Sequence, residues 1–173
     1  MICPNMATML GFVICDAGVE QNWWRPTLKT CVDKTFNRVT VDGDTSTNDC
    51  VLALANGTAA EARGADLALL EEALLDICQD LAFMIVQDAE GGTKVMRINV
   101  RGAASMADAQ LAARAVGNSP LVKTALYGRD PNWGRIVAAL GRSGAAFEPD
   151  EVVVRLAGMT IFRRGTPVKA DWD

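Results

Sequence analysis

Met9-Leu10-Gly11-Phe12-Val13-Ile14-Cys15 is an unbroken apolar run close to the start of the chain. A continuous apolar run of this length, without polar alternation, predicts a strand that is buried on both faces. Val51-Leu52-Ala53-Leu54-Ala55 is a second run of the same kind, and Asn56-Gly57 ends it. The two runs predict neighbouring buried strands, with helices in the sequence between and after them.

The strongest helical periodicity lies after the second run. Apolar residues recur there at steps of three and four, which predicts a long amphipathic helix ending near Asp88, with Asp66 placed to cap its first turn. Pro26 suits the first turn of another helix, between the two strands. The apolar residues that set the long helix are Leu67, Leu70, Leu74, Ile77, Leu81 and Met84.

The second half of the chain mixes helices with strands. Helices are expected over Met106–Val116, over Pro120–Tyr127 and up to Leu140. Alternation over Val95–Arg101 predicts a half-exposed strand. Glu151–Leu156 is expected to be a strand, and Met159–Phe162 its hairpin partner. The fold class is therefore α/β, with mixed α+β layers, and residues 1–173 are expected to form a single domain.

Composition excludes several classes of protein. The chain has 173 residues, a net charge of −4 and a pI of about 4.9, so it has no basic excess with which to bind nucleic acid generally. No apolar run approaches the roughly 18 residues of a membrane span. The five cysteines form no C-x-x-C pair, and the chain has no histidine that could complete a zinc site. These features predict reduced thiols in a cytoplasmic protein that holds no metal.

The absence of histidine also limits the available chemistry. Thr8 follows Ala7 at the mouth of the first predicted strand. A threonine hydroxyl becomes a nucleophile when the bond before it is cut, because its own α-amine can then serve as the base. The alternative is that Thr8 is an ordinary β-forming residue beside a strand.

Three other segments carry polar groups. The loop Asp42–Asp49 carries oxygen side chains at alternate positions, but the EF-hand calcium pattern counted from Asp42 fails, because Thr47 and Ala53 stand where it needs glycine and glutamate. The loop side chains bond local backbone, face a ligand or, as a third alternative, bind a metal. Glu90, before Gly91-Gly92, could bind a substrate ammonium group or lie in an ordinary turn. Asp130–Arg135 is either a structural corner or a pocket wall or subunit contact.

Four stretches, in order, resemble segments of the ornithine acetyltransferase family, also called glutamate N-acetyltransferases. The third of them resembles that family's D-G-E-G-A-T-K segment with two changes. Together the matches span most of the chain and are much more specific than any one of them. The stretches are Met1–Leu10, Val41–Asp49, Asp88–Lys94 and Tyr127–Arg135.

The resemblance implies a chemistry without histidine. Family members are made as a precursor that cuts itself before the threonine corresponding to Thr8, so Ala7 and Thr8 form the cleavage site. Thr8 then carries an acetyl group from N-acetylornithine to glutamate, in arginine biosynthesis. Glu90 matches a glutamate that contacts the substrate amino acid. The transfer needs no coenzyme; some members also use acetyl-CoA, a point that these residues leave open.

The resemblance further implies a partner chain. Residues 1–7 correspond to the tail of the family's α chain and residues 8–173 to most of its β chain, which assemble as an α2β2 heterotetramer. The family's oxyanion-hole pair, Thr-Gly, lies in the α chain. Loss of an oxyanion donor costs about 10²–10³ in rate. The isolated chain is therefore expected to be inactive, with Ala7-Thr8 uncut.

Two alternatives stay open at the level of sequence. The first is an amidase or aminopeptidase with an amino-terminal nucleophile, in which water replaces glutamate as the acceptor. The second is a non-catalytic fragment that only binds its missing half. The products distinguish the three possibilities. Acetylglutamate indicates the acetyltransferase, and free acetate or a released amino acid indicates the amidase or aminopeptidase. A complex without turnover indicates the non-catalytic fragment.

Overall fold

The computed structural model describes residues 9–45 and 48–169. These residues form two compact units that divide between Gly92 and Thr93. Helices and small sheets make up both units, which confirms the mixed α/β class. The expectation that the whole chain is a single domain stays a prediction.

The first unit is built on a pair of parallel strands. Strand β1 (Leu10–Cys15) pairs with β2 (Cys50–Ala55) in a register that sets Leu10 opposite Cys50 and Cys15 opposite Ala55. Parallel neighbours need a crossover connection, and helix α1 (Gln21–Lys34) with a short 3₁₀ helix supplies it. Helix α2 (Ala65–Gln87) follows β2.

One face of the strand pair packs against α1 and α2. The indole N–H of Trp24, on α1, donates to the carbonyl of Ala53 at 3.1 Å, so a buried side chain ties the helix to β2. The most deeply buried side chains come from both helices and from the connection between them, and they are Cys31, Phe36, Leu74 and Cys78. Burial raises the pKa of the Cys78 thiol to about 11, so this thiol is an inert part of the core.

The other face of the strand pair is exposed in the described residues. We expected both faces to be buried, and within the described residues only the face toward the helices is. Leu10 is 67%, Phe12 56% and Ile14 77% exposed, while Val13 on the opposite face is 5% exposed. Leu52 and Leu54 continue the exposed surface on β2. We call these five residues the open sheet face. The apolar run indicated burial correctly only for the side that the helices cover.

Two helix starts also differ from expectation. Helix α1 begins at Gln21, and Pro26 lies inside it rather than in its first turn. Gly64, with a φ of 54°, precedes α2 as its N-cap, and Asp66 lies in the first turn without capping it. An acidic side chain there still interacts favourably with the helix dipole.

The second unit combines three helices with a small antiparallel sheet. Side-chain oxygens of Ser105, Ser119 and Asn132 cap the three helices, each accepting a backbone N–H of its first turn. All three helices and the β3–β4 hairpin agree with the sequence pattern. The elements are α3 (Met106–Gly117), α4 (Pro120–Tyr127), α5 (Trp133–Gly141), β3 (Val153–Leu156), β4 (Met159–Arg163) and β5 (Thr166–Pro167).

The predicted strand over Val95–Arg101 is not formed in the structure. Met96 and Ile98 do point inward, and they pack against the cluster of Val116, Val122 and Ala139. The alternation therefore predicts the inward direction of these two side chains correctly. The segment makes no strand because no described strand pairs with its backbone.

Two expectations from composition can be compared with the described part of the chain. No helix there is long and apolar enough to cross a membrane. The four described cysteines, Cys15, Cys31, Cys50 and Cys78, are free thiols.

Trp24→Phe should lower the stability of the chain. The variant keeps an aromatic side chain, though a smaller one, but removes the N–H that pairs with the Ala53 carbonyl, so we expect a loss of about 1 kcal/mol in the free energy of unfolding. Urea denaturation measures this loss. Trp23→Phe, at the half-buried neighbouring indole, is the matched control; an equal effect of the two substitutions would contradict the assignment.

Candidate functional site

The candidate site lies where β1 and β2 begin. The N–H of Cys50 donates to the carbonyl of Met9 at 2.6 Å, so the register continues one residue before both strands and sets Met9 level with Asp49. Thr8 is bonded to Met9. Ala7 and Thr8 themselves lie outside the described residues, and their roles in cleavage and catalysis stay predictions.

Asp49 is an unusual carboxylate for this position. Both of its side-chain oxygens are buried, and neither has a hydrogen-bond partner among the described residues. Burial raises the pKa of the Asp49 carboxyl above its ordinary value, because the charged form loses its hydration. A buried polar group without a partner costs free energy, so its presence calls for an explanation.

Asp49 and Met9 share one cleft, on the side of the strands that faces α1. The cleft has a volume of about 210 Å³. Two basic side chains of α1, Arg25 and Lys29, line it as well. Lys29 is engaged with Asp33, one helical turn further on. The cleft therefore combines apolar walls with one carboxylate and two cationic groups, and its remaining lining residues are Leu28, Val32, Cys50 and Val51.

The loop before Asp49 is held by its own side chains where the structure describes it. The N–H of Asp44 donates to the Asp42 carboxylate at 2.9 Å, which makes an Asx-type turn. That bond from the Asp44 backbone is the main reason why the pKa of Asp42 is lowered. The contact agrees with the local-backbone interpretation of this loop. Within the described ranges, no group of three or more cysteines and acidic residues is placed to hold a metal ion.

Glu90 lies exposed in the turn that follows α2. Gly91 has a φ of 67°, in the left-handed region that favours glycine. The N–H of Gly92 donates to the Ala89 carbonyl at 2.8 Å, and a Cβ on Gly92 would lie 2.9 Å from that same oxygen. Both glycines are therefore required by the turn, which presents the Glu90 carboxylate to solvent.

Helix α2 begins beside the carboxyl ends of the strands. The first half of α2, at Leu70 and Leu74, lines a cleft together with Cys15 and Asn56, at the ends of β1 and β2. Helix α2 also contacts the 3₁₀ helix Phe36–Arg38. Glu90 follows Gln87, the last residue of α2, by three positions and so lies at the opposite end of the helix from that cleft.

The segment Asp130–Arg135 is a structural corner in the second unit. Asn132 accepts the N–H of Arg135 at 3.1 Å and so caps α5. The Trp133 ring stacks on Phe162 with centroids 5.0 Å apart and an interplanar angle of 18°. The Arg135 guanidinium donates to the Leu121 carbonyl at 3.0 Å. These contacts favour the structural interpretation of the corner over a pocket wall.

Sequence reasoning did not single out Asp49. In the sequence, Asp49 is only the last polar position of a loop, and no periodicity distinguishes it from Asp42 or Asp44. The usable signal was positional: Asp49 directly precedes the second buried strand, as Met9 directly precedes β1. Only the register shows that the two positions are neighbours.

Asp49→Asn should stabilise the chain at neutral pH. Because burial raises the folded-state pKa of Asp49, its ionised form is penalised above that pKa, and the penalty disappears below the unfolded-state pKa. We expect a gain of about 1 kcal/mol in the free energy of unfolding at pH 7, shrinking as the pH falls toward 4. Denaturation at several pH values measures it. Asp44→Asn, at an exposed carboxylate of the same loop, should show no such trend; a destabilised Asp49→Asn variant at pH 7 would contradict the interpretation.

Comparison with known proteins places this geometry in a family. The family model described as "ArgJ family" matches residues 1–173. A protein of Nitratidesulfovibrio vulgaris named "Arginine biosynthesis bifunctional protein ArgJ" is 60% identical over the whole chain, which covers 44% of that protein. A protein of the same name from a Synechococcus species is 49% identical over 99% of this chain, and the chain covers 42% of that protein. The chain thus spans less than half the length of these relatives.

A solved structure agrees with the sequence comparison. The crystal structure of the arginine biosynthesis bifunctional protein ArgJ from Bacillus halodurans superimposes with a TM-score of 0.90 at 38% identity, covering 95% of this chain and 79% of that one. The expected resemblance is confirmed, and so is the expected fold class. The chain belongs to the ArgJ family.

Proposed function

We propose that this chain is the nucleophile-bearing part of an acetyltransferase of arginine biosynthesis, which moves an acetyl group from N-acetylornithine to glutamate. The observation that carries the proposal is the family match over the entire chain, together with relatives named as arginine biosynthesis bifunctional proteins. Because those relatives are more than twice as long as the matched region, the activity belongs to the longer protein.

Thr8 is the proposed acyl carrier. Its hydroxyl attacks the acetyl carbonyl carbon of N-acetylornithine, the hydroxyl proton passes to the free α-amine of Thr8, and the α-ammonium returns a proton to the ornithine nitrogen as the C–N bond breaks. The amine of glutamate then attacks the acetyl ester and regenerates the hydroxyl. An α-amine has an ordinary pKa near 8, which suits a base at neutral pH.

Glu90 is the proposed contact for the amino acid substrate. Its carboxylate is exposed in the turn that follows α2, and the two glycines after it fix that turn. A carboxylate held in this way can accept charge-assisted hydrogen bonds from a substrate ammonium group. Acetyl-CoA is the alternative acetyl donor for this site, and the assay below distinguishes it from N-acetylornithine.

The open sheet face supports a partner chain. Five large apolar side chains from neighbouring positions of β1 and β2 form one exposed surface, and such a surface marks an interaction site. We propose that the rest of the family's polypeptide, as an α chain, covers it after cleavage before Thr8, and that two such pairs form an α2β2 heterotetramer. The free thiols fit a cytoplasmic setting.

A hybrid protein tests the activity. In it, this chain replaces the matching 44% of the Nitratidesulfovibrio vulgaris relative, to which it is 60% identical. We expect the hybrid to make acetylglutamate and ornithine from N-acetylornithine and glutamate, and Thr8→Ala to lower the rate at least about 10³-fold, because the nucleophile is lost. Mass spectrometry of the products measures both, and acetyl-CoA is supplied in a parallel assay.

Controls for that experiment follow from the structure. Thr30→Ala, at an exposed position of α1, should leave the rate unchanged. The 173-residue chain alone should show no turnover and no cut at Ala7-Thr8. Normal turnover by Thr8→Ala or by the isolated chain would contradict the proposal, and release of free acetate without acetylglutamate would favour an amidase.

Association through the open sheet face is tested by Ile14→Thr. The substitution keeps a β-branched side chain but removes apolar surface from the most exposed residue of that face. Binding of the chain to the separately produced remainder of the relative should weaken about tenfold, as measured by titration calorimetry. Val153→Thr, at an exposed strand position of the second unit, should bind normally; equal effects would show that the surface is not specific.

A further inference from the structure

Helix α2 carries an exposed apolar row that the function proposed above does not use. Leu69, Ala73 and Ile77 follow one another at steps of four residues, so they lie along one side of the helix, and all three are exposed. Met84 lies on the same side, two turns further on, and is 60% exposed. The opposite side of α2 is buried in the core. A helix that is apolar on its outer side as well as on its core side is typical of one that is covered on both sides.

An acidic row lies beside this apolar row. Glu72, Asp76 and Asp80 are also four residues apart, and each follows a residue of the apolar row by three positions. All three carboxylates are exposed, and none of them forms an ion pair within residues 9–45 and 48–169. Carboxylates one helical turn apart repel one another, and α2 contains no basic residue that would offset the repulsion. We call the two rows together the α2 surface.

Helix α4 of the second unit has the complementary character. Leu121 and Tyr127 are large exposed side chains, and α4 contains no acidic residue. The Lys94 Nζ lies 5.2 Å from the centroid of the Tyr127 ring and donates to the Tyr127 carbonyl at 2.7 Å. The Arg135 guanidinium donates to the Thr124 hydroxyl at 3.0 Å. Both cations bond neutral oxygens there, so their charge is not cancelled. We call these five residues the α4 surface.

The two units also carry opposite net charges. Residues 1–92 contain five basic and fourteen acidic residues, a net charge of −9, whereas residues 93–173 contain twelve basic and seven acidic residues, a net charge of +5. Two α2 surfaces would bring carboxylates together, and two α4 surfaces would bring cations together, so neither surface suits its own kind. The α2 surface suits the α4 surface, because each supplies the counter-charge that the other lacks.

We propose that the α2 surface of one copy of this chain binds the α4 surface of a second copy. The inference rests on the proposed function, in which two αβ pairs assemble, and it names the surfaces that join them. A two-fold axis between the copies makes the contact twice, since each copy presents both surfaces. The apolar side chains of the two surfaces then cover each other, and the acidic row of α2 faces Lys94 and Arg135.

Charge reversal in the full-length hybrid described above tests the contact. Sedimentation velocity measures how many copies of this chain each particle holds, whether or not the hybrid is cut. We expect two copies for the unsubstituted hybrid. Asp76→Lys combined with Asp80→Lys should weaken the association at least about 100-fold, because like charges then meet at both contacts of the pair. Lys94→Glu combined with Arg135→Glu should weaken it in the same way.

Compensating reversals separate a direct contact from damage to the fold. A mixture of the two reversed hybrids should associate again, because each α2 surface then meets an α4 surface of opposite charge. One hybrid that carries all four reversals should pair with itself for the same reason. Asp44→Lys combined with Glu148→Lys is the control for the α2 reversal. It changes the net charge equally, at exposed carboxylates outside both surfaces, and should leave the association unchanged.

The outcomes distinguish this inference from the proposed acetyl transfer, which has its own assay. The inference is wrong if the unsubstituted hybrid holds a single copy, if reversal at α2 leaves the association unchanged, or if compensating reversals do not restore it. It is also overturned if reversal at α2 prevents binding of the chain to the separately produced remainder of the relative, because that remainder then covers α2. Restored association in a hybrid that makes no acetylglutamate would contradict the proposed transfer and leave the contact standing.

Discussion

The parallel pairing of β1 and β2 is the constraint on which the first unit depends. It begins with the bond from the Cys50 N–H to the Met9 carbonyl and continues over six residue pairs. Parallel strands cannot be joined by a tight turn, so the chain must cross over through α1 before it returns. The same pairing brings the end of the polar loop, at Asp49, beside the start of β1. Without it, neither the helical cover nor the candidate site would exist.

In this unit, the favourable free energy of burying apolar side chains is larger than the unfavourable free energy of burying the Asp49 carboxylate. Full burial of a side chain such as Phe36 or Leu74 contributes about 1.5–3 kcal/mol. A buried polar group without a partner costs about 1–3 kcal/mol. The core can therefore tolerate Asp49, although the carboxylate lowers the stability of the fold that holds it. Such local conflicts are typical of functional sites, where the surrounding structure maintains an unfavourable group.

The elements that the sequence predicted well are those with their own periodicity. Helix α2 and the three helices of the second unit follow from apolar spacing, and the β3–β4 hairpin follows from two β-branched runs around Gly158. Predictions that depended on neighbours failed. The run Met9–Cys15 could not reveal that one face lacks cover, and Val95–Arg101 alternates without a strand to pair with.

The candidate site was predicted only in part, for the same reason. The residue types alone left Thr8 and Glu90 with ordinary structural alternatives, because a threonine before a strand and a glutamate in a turn are common features. The resemblance assigns them their roles, and those roles stay predictions. Asp49 needed the register, since its distance from Met9 in sequence hides their adjacency in space. Burial and missing hydrogen-bond partners are likewise properties of the folded chain, and the residue types alone do not encode them.

The open sheet face has a consequence for how the protein reaches its folded state in a cell. The patch that contains Leu10, Phe12 and Ile14 is available for apolar association as soon as the first unit forms. A net charge of −4 spread over 173 residues repels other copies of the chain only weakly. The yield of native protein then depends on whether the patch is covered before nascent chains aggregate. A segment that covers the patch and is synthesised before β1 on the same ribosome would be present at high local concentration. This proximity favours binding of that segment over aggregation.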